Sequence, residues 1–283
     1  MSQDAPARWI AVTGASGFLG RHVIAVLRAR GVGVIALNRR CKPDEPGVRN
    51  IRFDLAAPEE STAVLRDVDA VIHLAWEGLP NYRSSHHVEA ELPRQRAFVD
   101  LALASGVRRL VVAGTCFEYG MREGELHEGF EPAPANPYAQ AKDALRRHAE
   151  VACARFGCGL AWARLFYLFG DGQSPTSIWS QLSDHVLRGQ TAFPMSGGQQ
   201  VRDFLPIEVA ASHLVRLAEV RQAAGVTNVC SGHAWTLERT VRGWMAERGW
   251  DIHLDLGRFP YPDYEPFAFW GSTRRLNEVL AGP

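Results

Sequence analysis

The sequence predicts an α/β protein built on a doubly wound parallel sheet, with a smaller lobe supplied mainly by its C-terminal part. Three observations carry this. An apolar run, Trp9-Ile10-Ala11-Val12, enters the turn Thr13-Gly14-Ala15-Ser16-Gly17-Phe18-Leu19-Gly20, and residues 18–30 then read as a helix. Short apolar runs go on alternating with helical periodicity to about residue 170, the pattern of strands joined by right-handed helical crossovers. The chain has 283 residues, 46% hydrophobic and 22% charged, which suffices for one large core with an annex.

The first strand ends in the glycine turn. Gly14 permits the sharp change of direction, Gly17 lets a pyrophosphate approach the backbone, and Gly20 lets the helix pack closely on the sheet. The N-terminus of that helix offers free N–H groups and a positive dipole to phosphates. The spacing, Gly-x-x-Gly-x-x-Gly, is one residue longer at the first gap than the usual dinucleotide fingerprint. No Lys-Ser/Thr follows the last glycine, which argues against a nucleotide-hydrolysing P-loop.

Gly31 and Gly33 flank the turn into a second strand over residues 34–37, which ends at Asn38-Arg39-Arg40. A third strand over 48–53 is followed by Asp54 and a helix starting near Pro58. Residues 70–75 (Ala-Val-Ile-His-Leu-Ala) form the fourth strand, 88–105 a helix stopped by Gly106, 109–113 the fifth strand, 136–156 a long helix with Pro137 in its first turn, and 160–165 the sixth strand. Beyond Gly170 the pattern loosens. Helices near 178–188, 207–221 and 237–248 alternate with Gly-, Pro- and Trp-rich segments. The division is a dinucleotide-binding domain over 1–170 and a lobe mainly over 171–283, interleaved with the first and closing over the carboxyl edge of the sheet.

Basic and acidic residues balance at 31 each, so no bulk field favours nucleic acid or an anionic membrane. Cys41, Cys116, Cys153, Cys158 and Cys230 show no Cys-x-x-Cys or zinc spacing; no metal site is expected, and they read as free thiols of a reducing cytosol. The polar residues 1–8 lead directly into the first strand, and no apolar run approaches membrane-spanning length. A soluble cytoplasmic protein is the expectation.

The chemistry concentrates in Tyr138-Ala-Gln-Ala-Lys142. Positions i and i+4 share a helix face, so phenol and ammonium can address one site, and a neighbouring cation favours tyrosinate. Thr115, at the end of the fifth strand, can hydrogen-bond a substrate oxygen. Ligands of such sheets bind beyond the carboxyl ends of the strands, where Thr115, Tyr138 and Lys142 converge.

With these residues in hand, the chain resembles the extended short-chain dehydrogenase/reductases, in particular the nucleotide-sugar epimerases, dehydratases and ketoreductases on a Rossmann sheet. The matches run from the turn at 13–20 through His73-Leu74-Ala75, Thr115 with Tyr119-Gly120, and Tyr138 with Lys142. They continue through Arg164 with Phe169-Gly170 and Arg202-Asp203-Phe204 to Asn228 with Gly232. The resemblance implies that Tyr138 is the acid/base, that Lys142 binds the nicotinamide ribose and tunes Tyr138, and that Thr115 orients the substrate oxygen. It implies a cofactor held by Gly14, Ser16, Gly17, Phe18, Leu19 and Gly20, with Asp54 and Leu55 near the adenine and Leu74 and Ala75 near the ribose and nicotinamide phosphate. Arg202 would contact the diphosphate of a sugar nucleotide; a structural salt bridge to Asp203 or a neighbour is the alternative. Trp76, Tyr82 and Phe193 are candidate sugar- or base-facing residues, and the helices at 91–105 and 136–156 would build a homodimer interface.

Three departures refine this. Asn38, Arg39 and Arg40 stand where an NAD-selective protein carries a carboxylate for the ribose 2′-hydroxyl, which points to NADP(H), with simply solvated arginines as the alternative. Dehydratases of the family place Asp-Glu after the active-site threonine, whereas this chain has Cys116-Phe117, so dehydration is not expected. Tyr167 replaces an asparagine that usually touches the sugar diphosphate. Cys116 reads as a packed thiol rather than an epimerisation base. The expectation is an NADPH-dependent reductase of a nucleotide-linked 4-keto-6-deoxy sugar. A 4-epimerase retaining its NAD(P) is the nearest rival, and a non-catalytic dinucleotide sensor the rival from another class.

Overall fold

The computed structural model describes residues 8–40, 42–220, 222 and 224–282. Seven strands form its central sheet: β1 (Trp9–Thr13), β2 (Gly33–Asn38), β3 (Val48–Arg52), β4 (Ala70–His73), β5 (Arg109–Thr115), β6 (Gly159–Leu165) and β7 (Gly225–Val229). Their order is β7-β6-β5-β4-β1-β2-β3, and every neighbouring pair is parallel. The chain reverses its direction of travel across the sheet between β1 and β4. That crevice, at the carboxyl ends of the strands, is where such sheets take ligands.

Strands buried on both faces need continuous apolar sequence, and β2 and β4 are buried along their whole length. One face is covered by α1 (Phe18–Ala29), and the other by α2 (Leu92–Ala104) and α3 (Pro137–Phe156). The helices α5 (Ile207–Glu219) and α7 (Arg274–Ala281) join α1, with Val23, Leu27, Leu214, Val215 and Leu276 in one core. Phe98, Val99, Leu145 and Ala149 pack from α2 and α3 into the core of the opposite face. Residues beyond 170 therefore contribute to both lobes, because α5, β7 and α7 return to the first sheet. The second lobe has its own core between α4 (Ile178–Leu187) and α6 (Leu237–Arg248), where Trp179 and Trp244 meet edge to face at 5.2 Å. Phe193 is buried in this core, so it does not face a ligand.

Two expected helices take other forms. Pro58–Asp67 is a run of 3₁₀ turns. The helix expected over 88–105 opens with a π turn at His87–Glu91 before α2, with Pro93 in the first turn of the α-helix proper; proline lacks the N–H that regular α pairing would need there. Strand β7 was not foreseen, since Gly-Val-Thr-Asn-Val has no apolar period. The four cysteines among the described residues are free and buried; Cys41 lies outside them. Among the described residues no helix is long and apolar enough to cross a membrane.

Candidate active site

The glycine turn is fixed by contacts only glycine permits. Gly14 has φ +64°, and a Cβ there would lie 2.9 Å from the Ala75 nitrogen; a Cβ on Gly20 would lie 2.2 Å from the Gly14 oxygen. Backbone of β1, α1 and the segment after β4 thus approach more closely than any side chain would allow. A buried polar chain ties the same elements together. The Thr13 hydroxyl accepts from the N–H groups of Leu74 and Ala75 at 3.0 and 3.2 Å, leaving its own hydrogen for His73 Nδ1 at 2.7 Å. His73 Nε2 then donates to Gln95 Oε1 at 2.5 Å. Gln95 Nε2 donates to the Ala75 carbonyl at 2.8 Å and to Glu91 at 2.7 Å. Burial lowers the His73 pKa to about 3, so the ring is neutral and this bonding direction is fixed. His73 is structural.

Against this frame lies a cavity of about 210 Å³, walled by Gly14, Ser16, Gly17, Asn38, Arg39, Asp54, Leu55, Leu74 and Ala75, together with Trp76, Glu77 and Arg94. Nine of the residues expected to hold the cofactor share this one wall. Phe18, Leu19 and Gly20 stand behind it in the first turn of α1: Leu19 packs into the core, Phe18 meets the His22 ring at 5.9 Å, and Gly20 serves the close packing just described. Arg39 reaches across the mouth to Glu77, which also approaches Arg94 at 3.5 Å. Ser16, Arg39, Arg40 and Lys42 surround an adjoining hollow of about 600 Å³. The close approach of backbone around the glycine turn fits the pyrophosphate of a dinucleotide.

Tyr138 and Lys142 lie one turn apart in α3. Asn136 caps this helix by accepting the Ala139 N–H at 2.9 Å, and Pro137 occupies its first turn. The N–H of Tyr138, unpaired within the helix as first-turn groups are, donates to the Tyr82 carbonyl at 3.2 Å. That bond anchors the loop after β4 to α3. Lys142 Nζ donates to the Ala113 carbonyl at 2.8 Å and lies 3.8 Å from the Trp76 ring centre. Trp76 in turn donates to His87 Nδ1 at 3.1 Å and meets Tyr138 edge-on at 5.6 Å. Trp76 therefore borders the dinucleotide cavity and covers Lys142.

Electrostatics at this corner are dominated by burial. It holds the Tyr138 pKa well above the usual tyrosine value, reinforced by Tyr82, Glu118 and Cys116, while hydrogen bonding with Thr115 pulls it down. Burial thus raises the Tyr138 pKa rather than lowering it as a neighbouring cation would. The same desolvation lowers Lys142 to about 7 against the pull of Glu118 and Glu91. Thr115 accepts the Phe117 N–H at 3.3 Å, which leaves its hydrogen free to donate toward the Tyr138 oxygen or a bound ketone. Burial also pushes the Cys116 thiol up, and its side chain packs among Phe117, Tyr138 and Phe166. It is a packed, protonated thiol.

Glu118 is a carboxylate that site-by-site reading missed, although Thr115-x-x-Glu118 has the spacing of a capping box. It accepts the Thr115 N–H at 2.9 Å, Trp162 Nε1 at 2.9 Å and Arg164 Nε at 2.7 Å. Held by these three donors, it fixes Thr115.

A larger cavity of about 800 Å³ opens beside Tyr82 between the two lobes. Tyr82, Tyr167 and Arg202 line it, and Arg83, Asn136, Asp263 and Glu265 line it without having been foreseen. The Tyr82 ring lies 5.4 Å from that of Tyr138. Arg202 is ion-paired with Glu265 at 2.7 Å, and the Tyr167 hydroxyl donates to the same carboxylate. Asp203 does not pair with Arg202; it accepts from the backbone of Ser231, Gly232 and Gly271.

Comparison with known proteins agrees with this geometry. The family model described as the NAD dependent epimerase/dehydratase family matches residues 10–230. A dTDP-6-deoxy-L-talose 4-dehydrogenase (NAD(+)) of Aggregatibacter actinomycetemcomitans is 27% identical over 269 residues, 93% of this chain and 99% of that protein. A GDP-6-deoxy-D-mannose reductase of Pseudomonas aeruginosa is 30% identical over 249 residues, 81% of this chain and 77% of its own length. The solved structure of MoeE5 in complex with UDP-glucuronic acid and NAD superposes with a TM-score of 0.81 at 29% identity, covering 96% of this chain and 92% of that one.

Proposed function

The chain belongs to the NAD dependent epimerase/dehydratase family and is an NAD(P)-dependent, nucleotide-sugar-modifying oxidoreductase of the extended short-chain dehydrogenase/reductase type; within that class we propose an NADPH-dependent reductase of a nucleotide-linked 4-keto-6-deoxy sugar. The observation that carries the reading is Tyr138. It is buried and kept protonated, beside a threonine with a free hydrogen and a lysine whose position is fixed by Ala113 and Trp76. That is a proton donor ready for a ketone oxygen. The two relatives described above act on nucleotide-linked 6-deoxy sugars by name.

NADPH held at the glycine turn would supply a hydride to the keto carbon. Thr115 holds the ketone oxygen, and Tyr138 gives that oxygen its phenolic proton, leaving an alcohol and a transient tyrosinate. Lys142 binds the ribose and stabilises the tyrosinate until solvent returns the proton. Ser16, Arg39 and Arg40 take the 2′-phosphate, and Gly14 and Gly17 admit the pyrophosphate. General acid assistance of this kind is worth about 10²–10⁴-fold. The protein works as a homodimer through α2 and α3, where Val151, 73% exposed, and Phe156 lie on the outer surface.

A second reading, a 4-epimerase that retains NAD, is favoured by one observation: Glu77 reaches the cavity mouth and neutralises Arg39, and a carboxylate there suits a ribose 2′-hydroxyl. Releasing the cofactor from freshly purified protein by acid and quantifying nicotinamide separates the two. The reductase yields little bound cofactor and micromolar affinity for added NADPH; near-stoichiometric NAD⁺ contradicts it.

A further inference from the structure

The loop after β4 folds back onto the turn leading into α2, bringing together residues whose sequence spacing does not announce it. The Leu92 N–H donates to the His87 carbonyl and closes the π turn at His87–Glu91. In a regular α-helix, residues five apart point about 140° away from each other; the wider π turn brings His86 and Glu91 toward one face. Gly78, with φ +87°, lets the loop come down on that face. A Cβ there would lie 2.9 Å from His87 Cε1 and 3.2 Å from His86 Cδ2. Glu77, immediately before it, donates its N–H to Glu91 Oε1 at 3.0 Å.

Three ligand atoms meet as a result. One side-chain atom each from Glu77, His86 and Glu91 lie within 4.8 Å of one another. Two ligands about 2.1 Å from a shared ion stand about 3–4 Å apart, so small side-chain movements close the set. Grouped carboxylates alone would signify nothing, but Glu91 is 0% exposed and one of its oxygens lacks a partner. Its Oε1 accepts from Glu77 and from Gln95 Nε2, the latter at 2.7 Å, while Oε2 is buried without any hydrogen-bond partner. The Lys142 ammonium does not supply one, since it donates to Ala113. A buried carboxylate oxygen left in this way is costly. A water would satisfy Oε2 alone; a cation satisfies it together with an imidazole and a second carboxylate already near ligand spacing.

We propose that Glu77, His86 and Glu91 bind a divalent transition-metal cation, with water completing its shell. Two carboxylates and one imidazole suit Mn²⁺ or Zn²⁺ better than Mg²⁺. The ion takes the Glu77 carboxylate from Arg39 and Arg94, whose side chains are 73% and 37% exposed, and solvated pairs of that kind are given up at little cost. Its effect is to fasten the loop carrying Trp76 and Tyr82 to the turn before α2. Trp76 lies over Lys142 and Tyr82 packs on Tyr138, so the ion steadies the cover of that corner from outside it.

Titrating Mn²⁺ into the full chain, free of nucleotide and of any histidine tag, tests this by electron paramagnetic resonance. The wild type is expected to bind one Mn²⁺ per chain, to show nitrogen hyperfine coupling from an imidazole, and to melt several degrees higher with the ion. His86→Gln should remove the coupling and weaken binding tenfold or more, and Glu77→Gln should weaken it to a similar extent. No stoichiometric binding by the wild type overturns the proposal, as does binding to His86→Gln within twofold of wild type. Mg²⁺ displacing Mn²⁺ at equal concentration also overturns it, because that is the behaviour of a solvated acidic patch. Should either variant melt well below the wild type without metal, the nitrogen coupling in the wild type decides, and its absence overturns the proposal.

Discussion

Replacing Lys142 with methionine keeps the length of the stem and removes the charge, which isolates what it takes to hold an ammonium under the active site. Lys142 is 3% exposed, and burial lowers its pKa from 10.5 to about 7. At about 1.4 kcal/mol per unit, the difference between the two states is on the order of 5 kcal/mol. The folded-state value lies below the unfolded one, so between pH 7 and 10.5 the unfolded chain binds the extra proton and stability rises with pH. Below pH 7 both states are protonated and the whole penalty is present. Raising the pH from 6 to 9 should therefore stabilise the wild type by about 2–3 kcal/mol relative to Lys142→Met. Urea unfolding of both proteins at the two pH values measures this directly, with unchanged m-values confirming that the same transition is compared. Other titrating groups cancel in the difference. Two stability profiles that run parallel, with the gap constant to within about 0.5 kcal/mol, would refute a buried, strained lysine.

Three further outcomes are expected. Tyr138→Phe removes the proton donor and should lower kcat for ketone reduction by about 10²–10⁴-fold, with the NADPH dissociation constant, read by nicotinamide fluorescence, within twofold of wild type. Joint replacement of Arg39 and Arg40 by serine should weaken NADPH tenfold or more while leaving NADH within threefold; equal losses for both cofactors would show that the arginines do not read the 2′-phosphate. Glu118→Gln deprives Arg164 of its carboxylate in a pair whose side chains are 2% and 0% exposed, a change expected to cost about 3–5 kcal/mol; a loss below about 1 kcal/mol in denaturant melts would mean the pair is dispensable.

Much of the sheet was legible because its chemistry is local. Apolar runs such as Val34-Ile35-Ala36-Leu37 are buried on both faces and have few alternatives to a parallel strand, and the glycine at 20 answers to a contact within one βα unit, with the Gly14 oxygen. Strand β7 escaped for the opposite reason. Asn228 is fully buried, and its side chain is satisfied by distant groups, accepting from the Tyr119 hydroxyl at 2.7 Å and donating to the Leu126 carbonyl at 2.9 Å. A strand stabilised by such partners shows no hydrophobic period. The corner where Thr115, Tyr138 and Lys142 meet was legible as residue types but not in its protonation, since desolvation belongs to the packed structure. The larger cavity between the lobes was the least legible part. Arg83 and Asp263 are 180 positions apart, and nothing near either one in sequence announces the other.

In the proposed reaction NADPH would deliver a hydride while Tyr138 donates the proton. Incubating the protein with stereospecifically deuterated NADPH and a panel of nucleotide-linked 4-keto-6-deoxy sugars, then analysing the sugar by mass spectrometry and NMR, tests it most directly. Reduction gives one deuterium at carbon 4 of a new alcohol, one NADP⁺ formed per sugar reduced, and no such product from Tyr138→Phe on the same timescale. An inverted sugar carrying no deuterium, formed without net consumption of NADPH, would contradict it.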